Sequence, residues 1–540
     1  MELIRKNLTY GIGGRRLLTQ LTFDDDINVS DNNADIRSII MQTGHVRLDE
    51  IRVLGGKIRL AGHLEFSVLY SSEENGMLSC IRGDFAFEEM VNYDGGQDGE
   101  QVTVLWDMED LRAQMINSRK MNVKAVVTFS LYPFRMEEIQ AAAGVENAIP
   151  NAVPDTMPGA VSGTAPGTAP NAVSPETLSR TEQFAGLKVC GRDTLRMKET
   201  FPLPGGKPDV DRIVFQDVQL RNVKNRPENG HLAVSGDLFL FVLYRSADEH
   251  VPMQWFEKQI SVSGEVESHR ASDLMLSASG IRLAHTEVSA AEDEDGEMRR
   301  IEVEAVLQCD LMLFEEQRLE LLEDVYVPEM EFDITRPEIP MTTLVSCNDS
   351  RMKTSMTMQL HAGKPLMQIV YTAASVKIED YHPGDGGMVL EGVISIDLLY
   401  QQADPENPFE AGHEDYPFSY TVQMPAGDQE NSAQLQTAGS VEQINAVLSG
   451  PDEAEIRLTA GFSTVFCREE KMRVITDINM KPAAPEKIEN MPGITGYLVK
   501  PQDTLWSVAR KFYVPLSSIR EVNSLTSDEL KPGQRLLIVK

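Results

Sequence analysis

The chain has 540 residues, 83 of them acidic and 50 basic, which gives a net charge of −33. A surface this negative repels phosphate backbones and anionic lipid, which argues against nucleic-acid binding and membrane insertion. At roughly 100–200 residues per domain, the length predicts three to five domains. The charge suits either a merely soluble acidic protein or one that binds a basic partner.

The N-terminal sequence MELIRKNLTYGIGGRRLL lacks the apolar run of a signal peptide, so we expect no export signal. No apolar run reaches the length of about 18 residues that a membrane-spanning helix requires. The five cysteines are odd in number and contain no CxxC pair, which argues against a disulfide framework and a structural zinc site. A reducing cytoplasm is the simplest interpretation.

One strand pattern occurs three times along the chain. The stretches are KIRLAGHLEFSVLYSSEE, HLAVSGDLFLFVLYRSADE and GMVLEGVISIDLLYQQADPE. Each alternates polar and apolar residues and ends in Leu-Tyr before a polar turn, which predicts a β-strand. We interpret the repeated glycine as a bulge or close backbone approach, and the repeated tyrosine as a packing residue with its hydroxyl at the rim. The glycines are Gly62, Gly236 and Gly392, and the tyrosines are Tyr70, Tyr244 and Tyr400.

The repetition extends on both sides of this strand. Upstream lie ADIRSII, PDVDRIV and PLMQIV, and downstream lie three strand patterns that align Ala125, Ala305 and Ala460. Alternation of this kind is typical of antiparallel sheets with one exposed face. The sequence therefore predicts a mainly β protein with three repeated β-rich domains, each a sandwich or partly open barrel.

The domain boundaries follow from composition. An Ala/Pro/Gly-rich stretch with very few charges predicts a flexible spacer, and a second Pro-containing stretch precedes the tail. We therefore expect three β units and a tail that are joined by flexible spacers. The predicted β domains are 1–140, 181–330 and 331–480, the linkers are 141–180 and 481–494, and the tail is 495–540.

The tail reads as a small βααβ module. A short side-chain oxygen caps the first helix by accepting a free backbone N–H, and a proline opens the second helix. The predicted strands are Tyr497 to Val499 and Leu536 to Val539; the caps are Asp503 or Thr504 and then Pro515; the inward residues are Leu505, Val508, Ala509, Phe512, Leu516, Ile519 and Val522.

This tail resembles a LysM domain. The resemblance is carried by Tyr497-Leu-Val, Asp503-Thr-Leu-Trp, Ile519, Asn523 and Lys531-Pro-Gly-Gln with Leu536 and Ile538. It implies a shallow groove that binds N-acetylglucosamine chains. The family pattern has a glycine where this chain has Gln502, and a glycine there would tolerate a positive φ. The implied binding residues are Gln502, Asp503, Thr504, Leu505, Trp506, Asn523, Leu525, Lys531 and Pro532. Contacts to a protein partner are expected on the exposed side of the helices and loops, around Trp506, Lys511, Arg520 and Lys531.

The repeats resemble SPOCS domains. The resemblance rests on the opening from Asp26 to Asp31 with Asp35-Ile36, on the strand that ends in Leu-Tyr, and on NSRKMNVKA at 117–125. The third copy has Leu366 where the first two have Asp35 and Asp209. Several such domains before a LysM domain resemble spore-coat morphogenetic proteins of the SipL type. That resemblance implies a role in the mother-cell cytoplasm, at the forespore surface. It also implies binding to the SpoIVA-type coat morphogenetic ATPase, partly through the LysM domain, with other coat proteins as further partners.

The sequence shows no catalytic signature. The nine histidines are scattered, and neither a GxSxG nor a phosphate-binding glycine loop is present. We therefore expect a non-enzymatic scaffold without cofactor or metal, whose linked contacts add up through effective concentration. Two other hypotheses stay open: a cell-wall protein whose LysM domain binds peptidoglycan or N-acetylglucosamine glycan, which would require export, and an enzyme that uses LysM for targeting.

Overall fold

Strands make up most of the molecule. The computed structural model describes residues 2–73, 76–146, 175–248, 250–327, 330–360, 363–424, 433–482 and 492–539. Within these ranges the two helices both lie in the C-terminal module. The mainly β fold class and the βααβ tail that the sequence predicts are both confirmed.

The strands form three units followed by the tail module. The first unit contains β1 (Glu2–Gly13), β2 (Leu17–Asn28), β3 (Ile36–Leu54), β4 (Lys57–Ser72), β5 (Leu78–Asn92), β6 (Gln101–Asn117) and β7 (Lys120–Glu146). The second contains β8 (Glu176–Pro202), β9 (Val210–Glu228), β10 (His231–Ser246), β11 (Met253–Glu267), β12 (Leu276–Ser277), β13 (Gly280–Ala291) and β14 (Arg300–Tyr326). The third contains β15 (Met330–Thr335), β16 (Glu338–Gln359), β17 (Leu366–Gly384), β18 (Gly387–Gln402), β19 (Phe409–Gln423), β20 (Ala433–Gly450), β21 (Glu453–Arg473) and β22 (Asp477–Pro482).

Each unit is built from two packed sheets. Three consecutive strands form an antiparallel meander, which is β3-β4-β5 in the first unit, β9-β10-β11 in the second and β17-β18-β19 in the third. The long strands form the other sheet, which is separate in the first unit and is one seven-stranded sheet across the second and third units, joined where β8 pairs with β16. Alternation directs one face of each sheet inward, so that Leu60 and Leu64 of β4 pack with Val127 and Phe129 of β7, all fully buried. Each repeat is therefore a sandwich of this kind.

The three meanders meet in one shared core. Leu69, Leu243 and Leu399 occupy the same position of the central strand in the three units, directly before the repeated tyrosine, and all three are fully buried. They belong to one cluster, together with Phe241 and Tyr371. The three units are thus packed on one another through this core.

The long strand pairs continue beyond the sandwiches as two-stranded ribbons. The first ribbon pairs β1 with the Phe134–Glu146 part of β7, the second pairs the starting half of β8 with the end of β14, and the third pairs the start of β16 with the end of β21. The ribbons pack together through Leu8, Leu321 and Met341, which are at most 2% exposed. A second shared core therefore joins the three units.

The repeated glycines and tyrosines have structural roles. A side chain at Gly62 or Gly392 would collide with a carbonyl oxygen of the neighbouring strand, at the point where that strand forms a bulge. Tyr70 and Tyr244 are fully buried, and their hydroxyls donate to the carbonyl oxygens of Ala34 and Pro208 at 2.9 Å. Tyr400 donates instead to the Glu410 carboxylate.

The strand register corrects two alignments within the third copy. In each copy the first residue of the first meander strand pairs with the residue two positions after the repeated tyrosine; these first residues are Ile36, Val210 and Leu366. The residue before each of them is therefore equivalent, which places Pro365, and not Leu366, where the first two copies have aspartate. Lys120, Arg300 and Glu453 each pair with the last residue of the neighbouring long strand. In this register Leu458, and not Ala460, is the residue of the third copy equivalent to Ala125 and Ala305. The two alignments differ by two residues, so both place the residue on the same face of the strand.

The predicted linkers lie partly outside the described residues. β7 continues to Glu146 and β8 begins at Glu176, while β22 ends at Pro482. The expectation of flexible spacers at 141–180 and 481–494 falls mainly on residues that the structure does not describe. Within the described part of the chain, no helix is long and apolar enough to span a bilayer.

Candidate functional site

The tail module folds around two short helices and a strand pair. It consists of β23 (Ile494–Leu498), α1 (Leu505–Phe512), α2 (Leu516–Asn523) and β24 (Arg535–Val539). Thr504 is the N-cap of α1: its hydroxyl accepts from the Ser507 amide, while the Ser507 hydroxyl accepts from the Thr504 amide. Leu505, Val508 and Ala509 are buried under this helix, as their spacing predicts.

The loop before α1 holds one wall of the expected groove. Gln502 is exposed and has a φ of 74°, a left-handed conformation that favours glycine. The Asp503 carboxylate accepts from the Tyr497 hydroxyl at 2.7 Å and from the Lys500 amide at 2.8 Å. The hydrogen bond from the Lys500 backbone and then that from Tyr497 lower the pKa of Asp503. Asp503 therefore holds the loop in shape.

The loop after α2 forms the facing wall. Asn523 donates to the carbonyl oxygens of Ile519 and Leu537 and accepts from the Leu537 amide, so its amide group ties α2 to β24. Lys531 and Pro532 are exposed, and the Lys531 backbone amide donates to the Gln534 side chain. The two loops adjoin, because the Val499 amide donates to Gln534 and the Gly533 amide donates to Val499.

The helical side of the module is docked on the second unit. The Asp324 carboxylate, at the end of β14, accepts from the indole Nε1 of Trp506 at 2.9 Å and from the Arg510 guanidinium. Arg336 donates to the other oxygen of Asp324 at 2.7 Å. Because Asp324 is only 7% exposed, its charge is stabilised by these donors and not by water. Trp506 also lies edge-on to Tyr326, with ring centroids 5.0 Å apart.

Two further contacts complete this docking. The Tyr326 hydroxyl donates to the Val514 carbonyl oxygen at 2.8 Å in a buried position. Burial raises the pKa of Tyr326 well above its ordinary value, so the hydroxyl remains a donor. The N-cap of α2 is Pro515, whose side chain makes no capping bond, and the Glu176 carboxylate of β8 accepts from the Leu516 amide instead. The second unit thus caps a helix of the tail module.

These positions separate the predicted site residues into two groups. Gln502, Thr504, Lys531 and Pro532 are exposed on the two loops, and Asp503 and Leu525 are half-buried beside them. Trp506 is half-buried and its indole is hydrogen-bonded within the chain, and the contact with a partner that the sequence predicts for it stays a prediction.

Other residues of the tail differ from their predicted roles. The Leu505 side chain is 1% exposed and lies in the core, so it cannot line a groove. Val522, predicted to face inward, is 40% exposed, because Asn523 takes the inward position of the last turn. Arg520 pairs with Asp528, and the Lys511 ammonium lies 4.9 Å from the Tyr497 ring centre.

The charge of the module is opposite to that of the chain. Residues 495–540 contain seven Lys or Arg and four Asp or Glu, which gives +3 within a protein of −33. Its open loops carry the exposed Lys500 and Lys531 together with the exposed Asp528 and Glu529, so the positive excess belongs to the module as a whole and not to these loops. The module therefore has a net positive charge within an acidic chain, although two of its arginines are paired, Arg510 with Asp324 and Arg520 with Asp528.

The fold and this surface define a class: a multi-unit β protein that carries a small binding module at its C-terminal end. Comparison with known families identifies the parts. Residues 497–539 match the family described as LysM domain, and residues 35–116 and 365–449 match the family described as SipL, SPOCS domain. The chain therefore carries SPOCS domains of the SipL type and a C-terminal LysM domain, a combination that fits a sporulation-related protein associated with the spore coat.

The other comparisons are limited in extent. A stretch of 42 residues is 40% identical to the uncharacterized protein YkzQ of Bacillus subtilis (strain 168), and covers 8% of this chain and 56% of that protein. No solved structure gives a significant match to the chain. The SPOCS matches span β3 to β6 and β17 to β20, which is one meander and the following strand. The second unit has equivalent strands, β9 to β13, and lies outside these two matched regions.

The docking residues were not predicted from the sequence. Glu176, Asp324 and Tyr326 lie between 182 and 340 residues from their partners in the tail module. Their positions at strand ends give no periodic signal, because the ribbon that carries them is recognisable only in the folded chain. The cap and the apolar face of α1 depend on residues that lie within a few positions of one another, so the sequence could predict them.

Proposed function

We propose that this chain is a non-enzymatic scaffold of spore coat morphogenesis. In this proposal its LysM domain contributes to binding the SpoIVA-type coat ATPase, and the chain helps attach the coat to the forespore surface from the mother-cell cytoplasm. The observation that carries the proposal is the fixed orientation of the LysM domain. Its helices are docked on the second unit, while the loops with Gln502 and Lys531 are directed to solvent.

Rigid presentation favours binding of a large partner. A docked module loses little orientational freedom when it binds, so more of the contact energy is retained as affinity. The net positive charge of the module also suits an acidic surface on the partner, whereas the rest of the chain would repel such a surface. The division of the chain into three SPOCS units, linkers and LysM domain remains part of this proposal.

A binding assay on the full-length chain tests the proposal. One arm offers the SpoIVA-type ATPase of the same organism, and the other offers purified peptidoglycan or a chito-oligomer. We expect capture of the ATPase, and a decrease in affinity of about tenfold in Lys531→Glu, because the substitution reverses a charge on the open loop. Lys471→Glu changes an exposed lysine of the third unit and serves as the matched control.

The outcomes separate the two candidate functions. Binding of the ATPase that Lys531→Glu weakens and Lys471→Glu leaves unchanged would support the proposal. Capture of glycan without the ATPase would instead make this chain a glycan-binding protein, since the family description of LysM fits that activity as well. ATPase binding that is equal in both variants would remove the LysM loops from the interface.

A further inference from the structure

A basic residue recurs at one position in the three meanders. Arg47, Arg221 and Lys377 lie at equivalent points of the first meander strand, beside the bulge that faces the repeated glycine. Each of these residues pairs across the meander with the residue that follows the repeated glycine, so the three positions have the same surroundings in the backbone.

Two of the three cations are paired with carboxylates. Arg47 donates to Glu65 at 2.5 Å and to Asp49 at 3.1 Å. Lys377 of the third unit donates to Glu109, which is the bulged residue of β6 in the first unit, and to Glu379 at 3.3 Å. These pairs neutralise the charge of both cations.

Arg221 lacks such a partner. Within the residues that the structure describes, its guanidinium donates only to the amide oxygen of Gln219, at 2.7 and 3.2 Å, and lies 4.1 Å from the ring centre of Phe239. Among the described residues, no carboxylate forms an ion pair with it within 4 Å. Burial lowers the pKa of Arg221, and the more distant Asp217 and Glu257 act in the opposite direction. Arg221 is 6% exposed, so its charge receives little compensation from water.

This unpaired cation lies in a cleft between the second and third units. The cleft has a volume of about 690 Å³ and lies between the meander of the second unit and strands β16, β20 and β21 of the third. Its wall includes Glu442, the bulged residue of β20 and the counterpart of Glu109. Here Glu442 pairs with Arg351 at 2.6 Å and is therefore not available to Arg221.

The remaining charges of the cleft leave a local excess of positive charge. Arg457 pairs with Glu455 at 2.9 Å. The Asp237 carboxylate accepts from the neutral side chains of Asn222 and Ser261. Lys353 is exposed on the cleft wall, and within the described part of the chain no ion pair involves it. Two cations, Arg221 and Lys353, thus face the cleft without a carboxylate.

We propose that this cleft binds a carboxylate supplied by a ligand, with Arg221 and Lys353 as its cationic contacts. The carboxylate can be carried by an acidic side chain of a peptide segment or by a free dicarboxylic acid. Guanidinium groups bind carboxylates in a bidentate geometry, which fits a buried Arg221 better than the single amide oxygen it now contacts. The net charge of −33 repels acidic ligands from the chain as a whole, and substitutions at Arg221 and Lys353 distinguish binding in this cleft from binding to the positively charged LysM module.

The test uses the full-length chain at physiological ionic strength. A fluorescein-labelled penta-glutamate peptide is titrated with protein and followed by anisotropy, with penta-glutamine as the matched peptide and unlabelled glutarate as competitor. We expect binding of penta-glutamate only, with an affinity that decreases by about tenfold or more in Arg221→Gln and in Lys353→Gln. Because Lys353 is exposed, its substitution tests the cleft without disturbing the buried packing around Arg221.

The outcomes are distinct. Displacement by glutarate would support a small dicarboxylate as ligand, and displacement only by peptide would support an acidic segment. Arg52→Gln, at an arginine of the first unit whose side chain is 68% exposed, should leave the affinity unchanged. Equal binding of penta-glutamine, or affinities that neither cleft variant changes, would overturn the proposal. Since the LysM loops are not involved, this result is independent of ATPase binding.

Discussion

Gln502 occupies a backbone conformation that suits glycine. A side chain at a φ of 74° costs about 1–2 kcal/mol, which a glycine at this position would recover. Part of this gain in stability is offset because glycine is more flexible in the unfolded chain. We expect Gln502→Gly to stabilise the LysM domain by about 0.5–1 kcal/mol. Slower hydrogen exchange of the LysM amides in the full-length chain would show this gain. Gln502→Ala keeps the Cβ and should not produce it, and an equal effect of both variants would contradict the explanation.

His45 links the first and second units in a pH-dependent way. Burial lowers its pKa below the ordinary value of 6.5; Glu65, the Ala284 carbonyl and Asp217 oppose this effect, and His285 adds to it. The folded state therefore binds fewer protons than the unfolded state. Stability is complete above pH 6.5 and decreases as the pH falls below it, by at most about 1.4 kcal/mol per pH unit.

Urea unfolding at pH 7.5, 6.5 and 5.5 tests this dependence. In His45→Leu the decrease in the unfolding free energy between pH 6.5 and 5.5 should be smaller by up to about 1.4 kcal/mol, because the titrating group is absent. His269→Leu changes an exposed histidine and should leave the pH profile as it is. An unchanged profile in His45→Leu would show that His45 does not carry the effect.

At the residue scale, the sequence predicts what depends on near neighbours. The buried positions Val508 and Ala509 and the cap at Thr504 follow from helical spacing and local hydrogen bonding. The role of Trp506 does not, because a large amphipathic side chain on a helix suits a partner and the chain's own surface equally well. Asn523 was predicted as a ligand contact, whereas its amide group is used to join α2 to β24.

At the element scale, the docked helix α1 depends on one carboxylate. Asp324 accepts from Trp506, Arg510 and Arg336, so Asp324→Asn leaves two guanidinium groups without a counter-charge. Removing one partner of a fully buried ion pair costs about 3–5 kcal/mol, and the cost here is smaller because the Arg510 and Arg336 side chains are 41% and 38% exposed. We expect the docking of the LysM domain on the second unit to weaken. The chain has three tryptophans, so ¹⁵N-tryptophan labelling gives one indole signal for each. The Trp506 signal should move and exchange faster with solvent.

A matched variant distinguishes docking from general charge effects. Asp528→Asn removes a carboxylate whose side chain is 60% exposed and which pairs with Arg520 on the open side of the module. It should leave the Trp506 indole signal in place, since exposed pairs contribute little. If Asp324→Asn also leaves the signal in place, the docked arrangement does not depend on this carboxylate.

Strands were predicted more reliably than their register. The period-two pattern identifies the inward face, and a shift of two residues leaves that pattern unchanged, so the alignment of Ala460 with Ala125 appeared as good as that of Leu458. The structure resolves the register through hydrogen bonds. It also shows why the third copy differs: Arg119 pairs with Asp35 and Arg299 with Asp209, whereas the third copy has Pro365 and Asp452 at these positions and lacks both partners.

At the scale of the whole molecule, the three units form one body. Repeats with their own sandwich cores suggest independent domains, and nothing in a single sequence indicates that the meanders share a further core. The shared core also contains a hydrogen bond between units: the Tyr371 hydroxyl of the third unit donates to the Asp217 carboxylate of the second at 2.6 Å. Buried hydrogen bonds between units couple their stabilities.

The shared core predicts cooperative unfolding of the three units. Leu399→Ala in the third unit should cost about 2–5 kcal/mol, and the loss should appear at probes in the other two units because the three leucines pack in one cluster. The indole signals of Trp106 in the first unit and Trp255 in the second report this during urea unfolding. We expect both midpoints to decrease together in Leu399→Ala, as they should in Leu69→Ala and Leu243→Ala. Met367→Ala, at a residue that is 59% exposed, should change neither midpoint. A decrease confined to the unit that carries the substitution would show that the units unfold separately, and the rigid presentation of the LysM domain would then rest on the second unit alone.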